Sequence, residues 1–231
     1  MRLPLPVQTR LTARFEACIV DLDGTLVDTV GDFEVALASA LADLGWPPVG
    51  RPFIERTVGK GSEHLIACAL AEAGAPAGLQ DAALSHYQRH YLAINGSFST
   101  VYEGAIEGLR ALREAGLRLA CLTNKPLSFA RPLLVCKHLE GYFDEIFGGD
   151  SFERKKPDPL PLLQTCAALR STPARTLVVG DSINDAAAAR AAGCPVVLVS
   201  YGYNHGQPVA DAGADAVIDR LDQLPGLPLL A

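Results

Sequence analysis

The chain is expected to be an α/β protein: a parallel sheet with helices on its faces, interrupted after the first strand by an all-helical insertion. Three observations predict this. Short apolar runs alternate with helical stretches from about residue 105 onward. The first apolar run, Phe15 to Val20, ends abruptly in two acids, Asp21 and Asp23, at the place where open sheets bind ligands. Between residues 30 and 98 the apolar residues recur at helical spacing.

Taken in order, residues 1–14 read as a lead-in, with Pro4 and Pro6 among mixed polar residues. The first strand spans Phe15 to Asp21. Thr29 is placed to cap a helix in which Val30, Phe33, Leu37, Leu41 and Leu44 form one apolar face. Gly45 ends that helix, and Trp46-Pro47-Pro48 punctuates the chain. Further helices fit Pro52 to Thr57, Glu63 to Ala73 and Gln80 to Ile94. The stretch 30–98 is thus expected to form a helical cap, leaving 15–29 and 99–231 as the core domain. In the core, helices are expected over Ala105–Ala115, Leu127–Leu139, Pro157–Leu169 and Ile183–Ala192, with Gly116 and Gly193 closing the first and last. Strands are expected over Leu117–Thr123, Glu145–Phe147, Thr176–Asp181, Val196–Val199 and Ala216–Ile218. Alternation at this spacing implies parallel strands joined by right-handed crossovers.

Of 231 residues, 49% are apolar and 20% charged, enough for a substantial core. A net charge of -6, with no basic run longer than Arg154-Lys155-Lys156, argues against nucleic acid as a partner. The cysteines (18, 68, 121, 136, 166 and 194) form no C-x-x-C pair and lie mostly in apolar segments. That pattern fits a reducing compartment rather than a disulfide framework. Residues 1–14 hold no signal-peptide core, and no apolar run approaches the ~18 residues of a membrane span. A cytoplasmic monomer or homodimer is expected.

Four strand ends carry unusual polar residues. In Asp21-Leu22-Asp23-Gly24-Thr25-Leu26-Val27-Asp28, Asp21 and Asp23 point the same way from an extended segment, and Gly24 lets the chain turn sharply while Thr25 helps fix the turn. Two such carboxylates call for a cation, and an oxygen-rich site favours Mg²⁺. Leu122-Thr123-Asn124-Lys125 ends a strand in a hydroxyl and an amide, suited either to phosphate oxygens or to ordinary helix capping. Lys155-Lys156-Pro157-Asp158-Pro159 places a lysine just before a proline-started helix. Val178-Val179-Gly180-Asp181-Ser182-Ile183-Asn184-Asp185 ends a strand in Asp181, with Asp185 in the first turn of the next helix.

In order, these segments resemble the four motifs of the haloacid dehalogenase superfamily, whose fold is a Rossmann-like parallel sheet with a small helical cap. Thr123, Lys156 and the Gly180-Asp181-Ser182-x-x-Asp185 string stand at motif positions. Two further segments are similar to those of phosphoglycolate phosphatases within that superfamily: Thr57-Val58-Gly59-Lys60-Gly61, with Lys60 where Asn is more common, and Tyr201-Gly202-Tyr203-Asn204-His205-Gly206.

The resemblance implies a Mg²⁺-dependent phosphomonoester hydrolase acting on a small phosphorylated metabolite, 2-phosphoglycolate above others. Asp21 is then the nucleophile that forms an aspartyl-phosphate, and Asp23 the acid and base. Asp21, the Asp23 carbonyl and Asp181 hold the metal. Thr123, Lys156 and the N–H groups of Asp23 and Asn124 hold the phosphoryl oxygens, and Asp185, beside Ser182, orients Lys156 or a water on the metal. Other readings on the same fold are a β-phosphoglucomutase-like phosphomutase, another sugar-phosphate phosphatase, and a non-enzymatic regulatory binding protein. A haloacid dehalogenase itself needs neither Asp23 nor Mg²⁺.

The core meets only phosphate, so the cap must choose the organic half of the substrate. Among the polar cap residues Arg56, Lys60 and His64, Lys60 is the expected partner of a substrate carboxylate because glycines flank it. His86 and His90 lie four apart on a helix with no third ligand evident in sequence, and read as surface or core residues.

Overall fold

Strands buried on both faces of a parallel sheet need apolar side chains at every position. In the computed structural model, which describes residues 14–227, β1 (Ala17–Val20) has all of its residues buried. Its side chains alternate: Cys18 and Val20 join one hydrophobic layer, Ala17 and Ile19 the layer on the other face. The expected lead-in lies, but for Arg14, outside the described residues. After β1 the chain makes a tight turn into β2 (Val27–Asp28), and then runs through α1 (Val30–Asp43), α2 (Arg51–Thr57), α3 (Ser62–Ala73) and α4 (Gln80–Ile94). It returns through β3 (Thr100–Val101), antiparallel to β2.

The alternating part follows: α5 (Ala105–Glu114), β4 (Arg118–Leu122), α6 (Leu127–Cys136), β5 (Glu145–Phe147), α7 (Leu160–Ala168), β6 (Thr176–Gly180), α8 (Ile183–Ala192), β7 (Val196–Val199) and β8 (Ala216–Ile218). The strand order is β5-β4-β1-β6-β7-β8, and every pair is parallel. The α/β sheet is therefore as expected, with the chain reversing direction across the sheet on either side of β1. Such a switch point is where open sheets bind ligands.

Helices α1–α4 bury their own apolar stripe, built on Phe33, Leu37, Leu41, Leu65, Ile66, Tyr87 and Tyr91. Phe129 of α6 and Tyr203 join the same cluster, so cap and core packing are continuous there. Tyr91 sits at the centre, with ring centroids 5.6 Å from Phe33, 5.4 Å from Tyr87 and 5.0 Å from Phe129. The β2–β3 ribbon is the place where this helical group leaves the sheet domain and returns to it.

Several ends differ from the sequence reading. Thr29 precedes α1 but makes no side-chain capping bond; its hydroxyl is buried without a partner. The capping acceptor comes from far away in sequence: Tyr203 Oη accepts the N–H groups of Thr29 at 3.0 Å and Val30 at 3.2 Å, and donates to Asp28. α7 starts at Leu160 rather than Pro157, because Asp158 Oδ1 accepts the Leu160 N–H at 2.9 Å and holds the prolines in a turn. α6 stops at Cys136, where His138 takes φ 58° and Leu139 folds back onto the Leu134 carbonyl at 2.8 Å. All six cysteines are free.

Candidate active site

The carboxyl ends of β1, β4 and β6 are neighbours in the sheet, so residues distant in sequence meet there. Asp21 continues β1 and donates its N–H to Val179 at 2.9 Å. Two residues on, Asp23 bridges to Val27 around Gly24, whose φ of 83° is open to glycine at little cost. A Cβ on Gly24 would stand 2.2 Å from Asp181 Oδ2, so the absent side chain also lets the two segments touch. Thr25 does more than shape the turn: its hydroxyl donates to Asp181 Oδ1 at 3.2 Å. The Tyr203 N–H donates to the other Asp181 oxygen at 2.5 Å.

Lys156 is buried and fixed by two acceptors, Asp185 Oδ1 at 2.7 Å and the Leu122 carbonyl at 2.9 Å, and it is ion-paired with Asp21 Oδ1 at 3.0 Å. Asp185 in turn accepts from the Ser182 hydroxyl at 2.8 Å and from the Ser182 N–H at 3.2 Å, closing a capping box on α8. Its place is therefore that of a bracket between Lys156 and α8. Asn124 is a bracket too: Oδ1 accepts the Lys156 N–H at 3.0 Å, and Nδ2 donates to the Lys156 carbonyl at 2.8 Å and the Gly59 carbonyl at 2.9 Å. Thr123 Oγ1 accepts the Lys125 N–H at 3.2 Å and lines the cavity.

Asp21, Asp181 and Asp185 offer carboxylate oxygens within 4.8 Å of one another, all buried. Against them stands Lys156. Burial pushes Asp21 up to about 7, and the neighbouring carboxylates of Asp185 and Asp23 add to the effect. Burial also lifts Asp181 well above the carboxylate range, reinforced by Asp185 and Asp21. Burial alone would lower Lys156, but Asp185 and Asp21 outweigh it and hold the ammonium charged. Asp21 Oδ1 lies near Lys156 without hydrogen-bond geometry and is otherwise an orphan acceptor. Excess buried negative charge, an orphan oxygen and an all-oxygen donor set fit a hard divalent cation.

Asp23 has a partner that sequence reasoning missed. Lys125 Nζ lies 3.0 and 3.3 Å from its two oxygens, and 4.5 Å from the ring centroids of both Phe33 and Tyr91. Its side chain is 2% exposed. The cavity between cap and core is lined by Phe33, Val58, Gly59 and Leu65 from the cap, and by Asp21, Thr123, Lys125, Lys156 and Asp181 from the core. Lys60 is exposed and does not line it. Arg56 and His64 do not line it either. His205 accepts from Asn184 at Nε2 (3.0 Å) and donates from Nδ1 to the Arg56 carbonyl (3.1 Å), so the core loop after β7 also grips the cap. The only sequence signal for Lys125 was its position directly after Asn124.

A sheet that crowds carboxylates around a fixed lysine, under helices that shut over them, is built for chemistry on an anion in a closed space; the chain is an enzyme of the capped α/β class. The family model for haloacid dehalogenase-like hydrolases matches residues 15–193, and the chain belongs to that family. It is 41% identical over 221 residues to phosphoglycolate phosphatase of Thiobacillus denitrificans, covering 94% of each protein. It is 44% identical over 212 residues to the plasmid-borne phosphoglycolate phosphatase of Cupriavidus necator, covering 91% of this chain and 92% of that one. Among solved structures, a predicted phosphoglycolate phosphatase from Haemophilus somnus 129PT superimposes with a TM-score of 0.85 at 31% identity, over 91% of this chain and 96% of that one. CbbY from Rhodobacter sphaeroides, solved in complex with phosphate, gives 0.76 at 25% identity, over 91% and 96%.

Proposed function

We propose that the chain hydrolyses 2-phosphoglycolate to glycolate and phosphate, with Asp21 as nucleophile and Mg²⁺ as cofactor. The observation that carries this reading is the pairing, in one closed cavity, of an acid cluster suited to phosphate chemistry with a second buried cation, Lys125. Lys156 is already committed to Asp21 and Asp185. In this reading Lys125, which lies against Asp23 and lines the same cavity, would meet the substrate carboxylate, the part that Lys60 was expected to play. The names of the relatives at 41% and 44% identity support the phosphatase over the phosphomutase.

In this reading an Asp21 oxygen attacks phosphorus as the phosphorus–oxygen bond to glycolate breaks. The departing alkoxide takes a proton from Asp23. Water then attacks the phosphoryl-aspartate, gives its proton back to Asp23, and releases phosphate with Asp21 restored. Mg²⁺ held by Asp21, the Asp23 carbonyl and Asp181 would offset the repulsion between carboxylate and phosphate. Thr123, Lys156 and the Asn124 N–H face the transferring oxygens. A substrate carboxylate would draw Lys125 from Asp23, so binding the right acid would free Asp23 for its part in the reaction.

The test is release of inorganic phosphate from 2-phosphoglycolate, glucose and ribose phosphates and p-nitrophenyl phosphate, with Mg²⁺ and with EDTA. Mg²⁺-dependent turnover fastest on 2-phosphoglycolate is expected. Undiminished turnover in EDTA, or a preference for a neutral sugar phosphate, overturns the reading.

A further inference from the structure

Outside the active site, one cluster on the cap gathers more metal-binding atoms than packing requires. His86 and His90, one turn apart on α4, stand beside Asp43, the last residue of α1. Asp43 thus supplies the third donor that sequence spacing could not reveal. Asp43 Oδ2 lies 2.8 Å from His86 Nδ1 and 2.7 Å from His90 Nε2, and the three side chains are about two-thirds buried at 33%, 30% and 28% exposure. The terminal Arg89 nitrogen occupies the point on which they converge, 2.5 Å from Asp43 Oδ2, 3.1 Å from His86 Nδ1 and 3.3 Å from His90 Nε2.

The proton count of this arrangement is revealing. To donate to Asp43, each imidazole nitrogen needs a hydrogen; to accept from Arg89, the same nitrogen needs a free lone pair. Neither ring can do both. A Lewis acid at the shared point resolves the conflict, because all three atoms then present lone pairs to it. We propose that Asp43, His86 and His90 form a binding site for a borderline transition-metal ion such as Zn²⁺, with Arg89 as the cation that holds the place until metal displaces it. Two imidazoles and one carboxylate suit Zn²⁺ and not Mg²⁺, which separates this site from the oxygen-only cluster at Asp21 and Asp181. Tetrahedral ligation at ~2.0–2.1 Å spaces donors about 3.4 Å apart, so the two Asp43–imidazole spacings need widen by only about 0.6–0.7 Å, and all three donors already lie within 4.8 Å of one another. Arg89, 63% exposed, is free to swing outward. Bound metal would tie α1 to α4, the helices that carry Phe33 and Tyr91 over Lys125.

The experiment is calorimetric titration of the full chain with Zn²⁺ in saturating Mg²⁺, which occupies the oxygen site, paired with thermal melts and with the visible spectrum of the Co²⁺ form. One equivalent binding in the micromolar range, raising Tm and giving the intense visible bands of tetrahedral Co²⁺, is expected. His86→Ala and His90→Ala, checked by circular dichroism for intact fold, should each weaken that equivalent by more than about tenfold. Arg89→Ala should tighten it, since the competing cation is gone. No equivalent bound by the wild type, binding unchanged in both histidine variants, or weaker binding in Arg89→Ala overturns the proposal; the last outcome marks a purely ionic cluster built around the guanidinium.

Discussion

Lys125→Met is the substitution that separates substrate recognition from general chemistry. Methionine keeps an unbranched stem between the rings of Phe33 and Tyr91, each 4.5 Å from the present ammonium, so cap packing should survive. What disappears is a buried positive charge 3.0 Å from Asp23 and facing the cavity. A charge-assisted hydrogen bond to a carboxylate is worth ~1.5–3 kcal/mol, or about one to two orders of magnitude in selectivity. The assay is kcat/KM for 2-phosphoglycolate against p-nitrophenyl phosphate, which has no carboxylate to recognise. Any loss common to both substrates reports on Asp23, which has lost its ion-pair partner; the ratio between them isolates recognition. The ratio should fall about ten- to hundredfold in Lys125→Met and stay near the wild-type value in Lys60→Ala. An unchanged ratio in Lys125→Met would refute the reasoning. A fall in Lys60→Ala instead would return the recognition role to the cap loop.

Asp21→Asn should abolish turnover while leaving the fold intact by circular dichroism; retained activity would point to direct attack by water. Burial raises the Asp21 carboxyl from 3.8 to about 7, so between these values the folded chain binds more protons than the unfolded one, and metal-free stability should fall as pH rises through that window. Melts in EDTA at about pH 5 and pH 8 should show that fall, with Mg²⁺ offsetting it at the higher pH and Asp21→Asn flattening it. Asp185→Ala should cost ~3–5 kcal/mol in denaturant unfolding, because it leaves Lys156 buried with one fewer counter-charge and uncaps α8. Gly202→Ala would put a Cβ 2.2 Å from Asp181 Cβ and 2.5 Å from the Gly24 carbonyl, and should abolish the Mg²⁺-dependent rise in Tm.

The sheet was legible in the sequence because burial on both faces leaves an unmistakable mark: β1, β6 and β7 are short apolar runs with polar residues at their ends. Asp21, Thr123 and Asp181 could be picked out because each stands where such a run stops, and Lys156 because it directly precedes the proline of the next helical segment. Contacts closed by the folded chain were not legible. Lys125 meets Asp23 across 102 residues, and nothing local distinguishes it from a surface lysine. Lys60, framed by glycines that suggested a functional loop, is exposed; those glycines instead take φ values of 108° and 93° and let the cap backbone approach Asn124, Asn184 and Lys155. The α1 cap failed for the same reason, since its acceptor is the hydroxyl of Tyr203, 174 residues from Thr29. Local pattern reports burial and turns; it cannot report which distant side chain completes a site.

Those long-range contacts share one property: most of them join cap to core. The Gly59 carbonyl accepts from Asn124 and Asn184, the Arg56 carbonyl from His205, and the Phe129 carbonyl from Asn95. Asn124 also fixes the backbone of Lys156, so one side chain ties the cap loop to the lysine beside Asp21. Opening the cap would strip Asn124 of its Gly59 acceptor and uncover the rings beside Lys125. Three of the four side chains that make these bonds are amides, whose hydrogen bonds do not depend on the protonation state of the acids they surround. A lid held largely by amides and backbone carbonyls would open without any change in the charge of Asp21 or Asp23, which would suit the proposed reaction, in which Asp23 gives up a proton and takes one back at every turnover.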